Sequence, residues 1–164
     1  QEYTFPPLLL AALAYQESEL DSARHSKNNK IGIMGIDPSA LRQEGLEADL
    51  TTIQRPEGNI RLAVRYLDFL RDHYFSAPEL GESDRNLMAL AAYTSGPIQV
   101  MAARKKAALA GYNPDIWFKQ VETAMQSEEG QNVADIAQYV RNIYNYFKAY
   151  EYVLEKSGNE SQQE

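Results

Sequence analysis

Apolar residues recur along this chain at intervals of three and four, the spacing of helices laid against a core, and nowhere alternate in twos over the length of a strand. The clearest stretch is Pro56 to Tyr74. There Ile60, Ala63, Val64, Leu67, Leu70 and Tyr74 share one face, while Arg61, Arg65, Asp68 and Asp72 face away. A second stretch runs from Val133 to about Leu154, with Val133, Ile136, Ala137, Val140, Ile143, Tyr144, Phe147 and Val153 or Leu154 inward. Its tyrosines (Tyr139, Tyr144, Tyr146, Tyr150, Tyr152) lie on several sides, so they cannot all be core. Leu8 to Ser22 has a different pattern, being apolar on nearly every side through Tyr15. A helix of that kind belongs in the middle of a domain, and Pro6 and Pro7 suit its first turn, where a missing N–H costs nothing.

Shorter elements follow from turn and cap chemistry. Asp37-Pro38 reads as an N-cap with proline at the first helical position, opening a helix through Leu41. Ser83 or Asp84 can cap a helix that runs to Ser95 and is stopped by Gly96-Pro97. Ile98 to Ala110 reads as another helix, and Asn113-Pro114 as the start of a short one holding Ile116, Trp117 as a core anchor, Phe118 and Val121. Arg24 to Lys30, Pro78 to Gly81 and Ser127 to Asn132 read as connections. Gln43 to Thr52 reads as a solvated acidic stretch. Gly32 and Gly35 bracket a tight turn that allows one small hairpin near Ile31 to Ile36. From Lys156 on nothing can be buried. The expectation is therefore an all-α, mainly helical domain over residues 1–155 with a disordered tail at 156–164, the first helix being crossed by the Pro56 and Val133 helices.

A length of 164 residues suits one domain with a sizeable core. The net charge of −7 argues against nucleic acid as a partner, since phosphate needs a basic face. No apolar run is long enough to span a bilayer. The absence of cysteine removes disulfides, thiolate-bound zinc and thiol catalysis. Neither a phosphate-binding glycine loop nor a paired-histidine motif is present, His25 and His73 stand alone, and no cofactor is expected. The chain starts at Gln1 rather than Met, as expected of one processed or excised from a longer protein, with any targeting segment out of view.

The candidate chemistry lies at the end of the first helix. By helical spacing Glu17 shares a face with Leu13 and Ala14 behind it and Leu20 and Asp21 ahead. Packed against aliphatic neighbours, a carboxyl resists ionising and can serve as a general acid. A helix-end glutamate in solvent fits the same periodicity. Arg104, Lys105 and Lys106 form a basic patch, read as a solvated face that could also attract anionic glycan.

The neighbouring residues sharpen the reading. Tyr15-Gln16-Glu17-Ser18, Leu20-Asp21, Ser26, Gly32-Ile33-Met34-Gly35-Ile36 and Pro38-Ser39-Ala40 occur in the order and spacing of the soluble-lytic-transglycosylase (SLT) domain, which this chain resembles from about Leu8 to Tyr152. The stretches NPDIWFKQVE and YVRNIYNYFKAY are similar to the branch called membrane-bound lytic transglycosylase F. The resemblance implies a fold like goose-type lysozyme and a bacterial envelope protein at the periplasmic face. It further implies cleavage of peptidoglycan between N-acetylmuramic acid and N-acetylglucosamine, and a solute-binding-like domain preceding this one. It makes Glu17 the catalytic residue and matches Ser18, Met34, Tyr93 and Tyr139 to substrate-side positions. Gly35 and Thr94 depart from the pattern, standing where Gln and Asn are usual. Losing one sugar contact would weaken binding by about 1–2 kcal/mol. One glutamate would act twice and leave a 1,6-anhydro product. Simple hydrolysis, or a glycan-binding domain with weak turnover, remains open on the sequence.

Overall fold

Proline sets the start of four helices. In the computed structural model α1 runs Pro7–Ser18, α2 Pro38–Gln43, α4 Pro56–Tyr74 and α6 Pro97–Leu109, each with proline in its first turn. The others are α3 Leu50–Gln54, α5 Glu82–Ser95, α7 Glu122–Gln126 and α8 Gln131–Glu160. The structure describes residues 5–23, 30–126 and 131–160, with side chains for all of these but 131–134 and 159–160. The expected connections at Arg24 to Lys30 and Ser127 to Asn132, including Ser26 and His25, fall largely outside the described residues.

α1 lies along α8, while α5 packs against α4, α6 and α8. The core between them holds Leu9, Leu13, Leu67, Leu70, Met88, Leu90, Val140, Ile143 and Trp117, all buried. The expected crossing of α1 by the Val133 helix is present, but the Pro56 helix lies chiefly against α5 and α3. Among the described residues the only extended pairing is a single antiparallel bridge, Ile31 to Ile36, with N–H···O bonds of 2.8 and 3.0 Å. Gly32 at φ 76° and Gly35 at φ 57° close it, a backbone that favours glycine.

Several elements differ from the sequence reading. α1 stops at Ser18, short of the expected Leu20: Glu19 and Leu20 both take left-handed φ (57° and 67°), and Leu20 is 53% exposed. Glu17 therefore shares no helical face with Leu20 or Asp21. The inward face of α4 keeps Ala63, Val64, Leu67 and Leu70 as expected but is wider than the stripe. Ile60 is 40% exposed, while Asn59, Leu62 and Tyr66 are buried, because Asn59 has backbone partners to satisfy beneath the helix. α3 was read as part of an acidic loop; Asp49 caps it by accepting from Thr52 N at 2.9 Å. Asp84 does not cap α5 but accepts from Trp117 N at 2.8 Å, and Gly81 is the cap residue. No helix starts at Asn113. Phe118 (ψ 133°) and Lys119 (φ 63°) break the backbone before α7, whose buried Glu122 pairs with Arg141.

At the C-terminal end α8 continues to Glu160, beyond Lys156 where disorder was expected. Residues 152–158, including Val153 and Leu154, are exposed, so this extension is held by its own backbone ladder and by contacts such as Ser157 Oγ donating to Val153 O at 3.0 Å.

Candidate active site

The turn from Ile31 to Ile36 is fixed by side chains from three helices. Asn59 of α4, fully buried, accepts from Met34 N (2.9 Å) and donates to Ile31 O (2.9 Å) and Ile53 O (2.8 Å). Tyr93 of α5 donates to Met34 O at 2.8 Å. Ser18 of α1 donates to Ile33 O at 2.8 Å, with Ala14 O at 3.1 Å. Each backbone group of a buried turn must find a partner, and these three polar residues supply them.

The turn lies against the Glu17 carboxylate. A Cβ built on Gly35 would come within 2.3 Å of Glu17 Oε2, and Gly35 has φ 57°. Only glycine fits this close approach. The other oxygen, Oε1, accepts from Tyr139 OH of α8 at 2.5 Å and from Lys30 Nζ at 2.7 Å. The Glu17 side chain is only 6% exposed. Its surroundings are nevertheless not the aliphatic walls expected from the sequence, because an ammonium and a phenol O–H both meet Oε1. Lys30 Nζ also lies 3.5 Å from Thr94 Oγ1 and 5.6 Å from the centre of the Tyr139 ring.

Gly35→Ala should therefore lower stability by about 2 kcal/mol, from left-handed strain and overlap with Glu17, and should lower activity as well. A urea-unfolding midpoint equal to that of wild type would mean that Glu17 rests elsewhere.

Two tyrosines of the site have raised phenol pKa values. Burial is the main cause for Tyr93, and the Glu17 charge adds to it. For Tyr139, burial again comes first, followed by the Glu17 charge and the hydrogen bond to it. Tyr66, tilted against Tyr93 with ring centres 5.5 Å apart, is raised chiefly by burial. A phenol whose folded pKa exceeds its unfolded value adds stability that is complete below the unfolded pKa, about 10, and is lost as pH rises toward the folded value. Unfolding midpoints should thus hold from neutral pH to about 10 and then fall. Tyr93→Phe should show a shallower fall, and an equally steep one would exclude Tyr93 as a source.

The structure brings together Glu17, Ser18, Met34, Gly35, Tyr93, Thr94 and Tyr139, from α1, the turn, α5 and α8. Arg104 of the basic patch is engaged elsewhere, donating to Pro114 O and pairing with Asp115. Two residues were missed. Asn59 could have been found as a polar residue three and four positions before Leu62 and Ala63 on a core-facing helix. Lys30 could not, since nothing in a polar loop says where one long side chain ends.

Comparison with known proteins adds an independent line. The family model described as Transglycosylase SLT domain matches residues 1–116. The chain is 33% identical over 156 residues to a Nitrosospira multiformis protein named membrane-bound lytic murein transglycosylase F, covering 87% of this chain and 31% of that protein. It is 34% identical over 153 residues to membrane-bound lytic murein transglycosylase F 2 of Alkalilimnicola ehrlichii (92% and 31%). A Pseudomonas fluorescens protein named membrane-bound lytic murein transglycosylase F is 36% identical over 110 residues (67% and 21%). The chain spans about a third or less of the length of these relatives.

Proposed function

The chain belongs to the transglycosylase SLT family, whose lysozyme-like, mainly helical fold it has, and from that premise we propose that it is a peptidoglycan lytic transglycosylase with Glu17 as its single acid and base. The observation that supports this most is the Glu17 carboxylate itself, enclosed at the end of the core helix and held through Oε1 by the Tyr139 hydroxyl. Among the described residues no second carboxylate shares its partners. Asp21 is exposed and accepts instead from Ala23 N at 2.9 Å.

Protonated Glu17 donates to the glycosidic oxygen as the bond to muramic C1 breaks. The resulting carboxylate then takes the proton of the same sugar's C6 hydroxyl as that oxygen attacks C1, closing a 1,6-anhydro ring. The attacker is already part of the bound sugar, so it has the advantage of proximity over water. Tyr139 donates to the oxygen that becomes charged when the first proton leaves. Ser18, Asn59 and Tyr93 hold the turn, whose buried Met34 and Gly35 back the Glu17 carboxylate. The departure at Gly35 acquires a reason: glutamine there would need Glu17 to sit elsewhere. Two carboxylates, as in many glycosidases, are not required.

In this reading the chain works on peptidoglycan strands in the bacterial cell envelope, at its periplasmic face. It is the catalytic part of a longer protein, consistent with the greater length of its relatives and with their names as membrane-bound enzymes. A solute-binding-like domain preceding it rests on resemblance alone. Among the described residues no helix is long and apolar enough to cross a membrane.

Clearing of a purified peptidoglycan suspension tests the activity; glycan binding without clearing would point to a binding domain of the same fold. Thr94→Asn restores the amide usual in the family and should raise the clearing rate about five-fold, the effect of one added hydrogen bond. Equal rates would remove Thr94 from the substrate path.

A further inference from the structure

Both oxygens of Glu17 are covered. Oε2 abuts the Gly35 backbone, and Oε1 holds Tyr139 OH and Lys30 Nζ. Gly35 belongs to a turn fixed by hydrogen bonds from three helices, and Tyr139 is anchored in α8. Lys30, on a flexible four-carbon stem and 17% exposed, is the partner that can swing away into solvent with least disturbance of the packing. Access of a glycosidic oxygen to Glu17 therefore requires the ammonium to go elsewhere.

Where it can go is limited by charge. Lys30 is enclosed by the Tyr139 ring and Thr94, and an ammonium taken from its carboxylate in such a place needs another anion. The sugar hydroxyls and acetamides of a glycan are neutral. Muramic acid, however, bears a lactyl group whose carboxylate is free wherever the peptide stem is absent. We propose that Lys30 is a positioning and specificity residue that recognises a carboxylate on the glycan and, in moving to it, uncovers Glu17. The exchange replaces one ion pair with another. This assignment rests on the lytic reading for its consequence but not for its binding step. It also gives Thr94 a local reason, since its hydroxyl lies beside the ammonium.

The test uses stem-free glycan strands, with every lactyl carboxylate exposed, and the same strands after amidation of those carboxylates. Equilibrium affinity and initial cleavage rate are measured for wild type, Lys30→Met and Lys30→Arg. Wild type should bind the carboxylate form about ten-fold tighter, as expected of one charged hydrogen bond, and Lys30→Arg should keep that preference. Lys30→Met should bind both forms equally and cleave the amidated form several-fold faster than wild type does. Equal wild-type affinity for the two forms, or a preference that survives in Lys30→Met, overturns the proposal. The wild-type comparison needs no variant, so it decides the matter even if Lys30→Met unfolds. Charge-dependent binding with no cleavage of either strand would contradict the lytic reading and leave the role of Lys30 in recognition standing. Cleavage of both strands with equal affinity and rate would do the reverse.

Discussion

Glu17→Gln is expected to lower glycan turnover by about a thousand-fold while leaving a folded protein, the scale set by removing a positioned general acid. Glutamine has nearly the same volume and keeps an acceptor for the Tyr139 hydroxyl, which now sits 2.5 Å from Oε1. It can still pack on Gly35. What it cannot do is give or accept the proton on which both halves of the proposed reaction depend. Lys30 loses its counter-charge in the variant but keeps an acceptor in the glutamine amide oxygen, which stands where Oε1 now accepts from it, so cooperative unfolding should persist. The comparison is between initial rates of soluble fragment release by wild type and variant, with circular dichroism confirming the helices. A variant retaining a tenth or more of the wild-type rate would remove Glu17 from the acid role.

Asn59→Ala should have the largest effect on stability, although its side chain touches no proposed reacting atom. Its amide makes three buried hydrogen bonds to backbone groups of Met34, Ile31 and Ile53. Alanine removes all three, leaving the buried Met34 N–H and Ile53 O without the amide and Ile31 O with Ile36 N alone. At about 1 kcal/mol or more each, the loss is about 3–4 kcal/mol, enough to lower the melting temperature by about 10 °C in a domain of this size. Activity should fall with it, because the turn holds Gly35 against Glu17. Asn59→Asp, which sets a buried carboxylate oxygen against the carbonyls of Ile31 and Ile53, should cost at least as much. A cost under about 1 kcal/mol for the alanine variant would mean that the turn is held by other contacts.

Much of the fold was legible because its periodic signals are strong. Pro56 to Tyr74 was bounded by proline and ended where its apolar stripe ended, and the observed helix has those limits. Trp117 was read as a core anchor and is fully buried. Errors fell where a single contact outweighs a pattern. Leu20 continues the spacing of α1, yet the chain turns at Glu19, where the Ser18 hydroxyl is drawn to Ile33 O. Ile60 fits the stripe of α4, yet Asn59 takes the inward place because the turn needs its amide. The same holds at the site. Motif spacing grouped Glu17, Ser18, Met34, Tyr93 and Tyr139, with Gly35 and Thr94 as departures at matched positions. It could not reveal the ammonium at the carboxylate, because Lys30 lies in a polar loop 13 positions from Glu17 and carries no motif of its own.

The most direct test of the account is the mass of what the protein releases from purified peptidoglycan. A single glutamate that directs the muramic C6 hydroxyl onto C1 predicts fragments ending in 1,6-anhydromuramic acid, each lighter by one water than its hydrolytic counterpart, and absent when Glu17 is replaced by glutamine. Fragments ending in reducing muramic acid, or anhydro fragments still formed by Glu17→Gln, would contradict it.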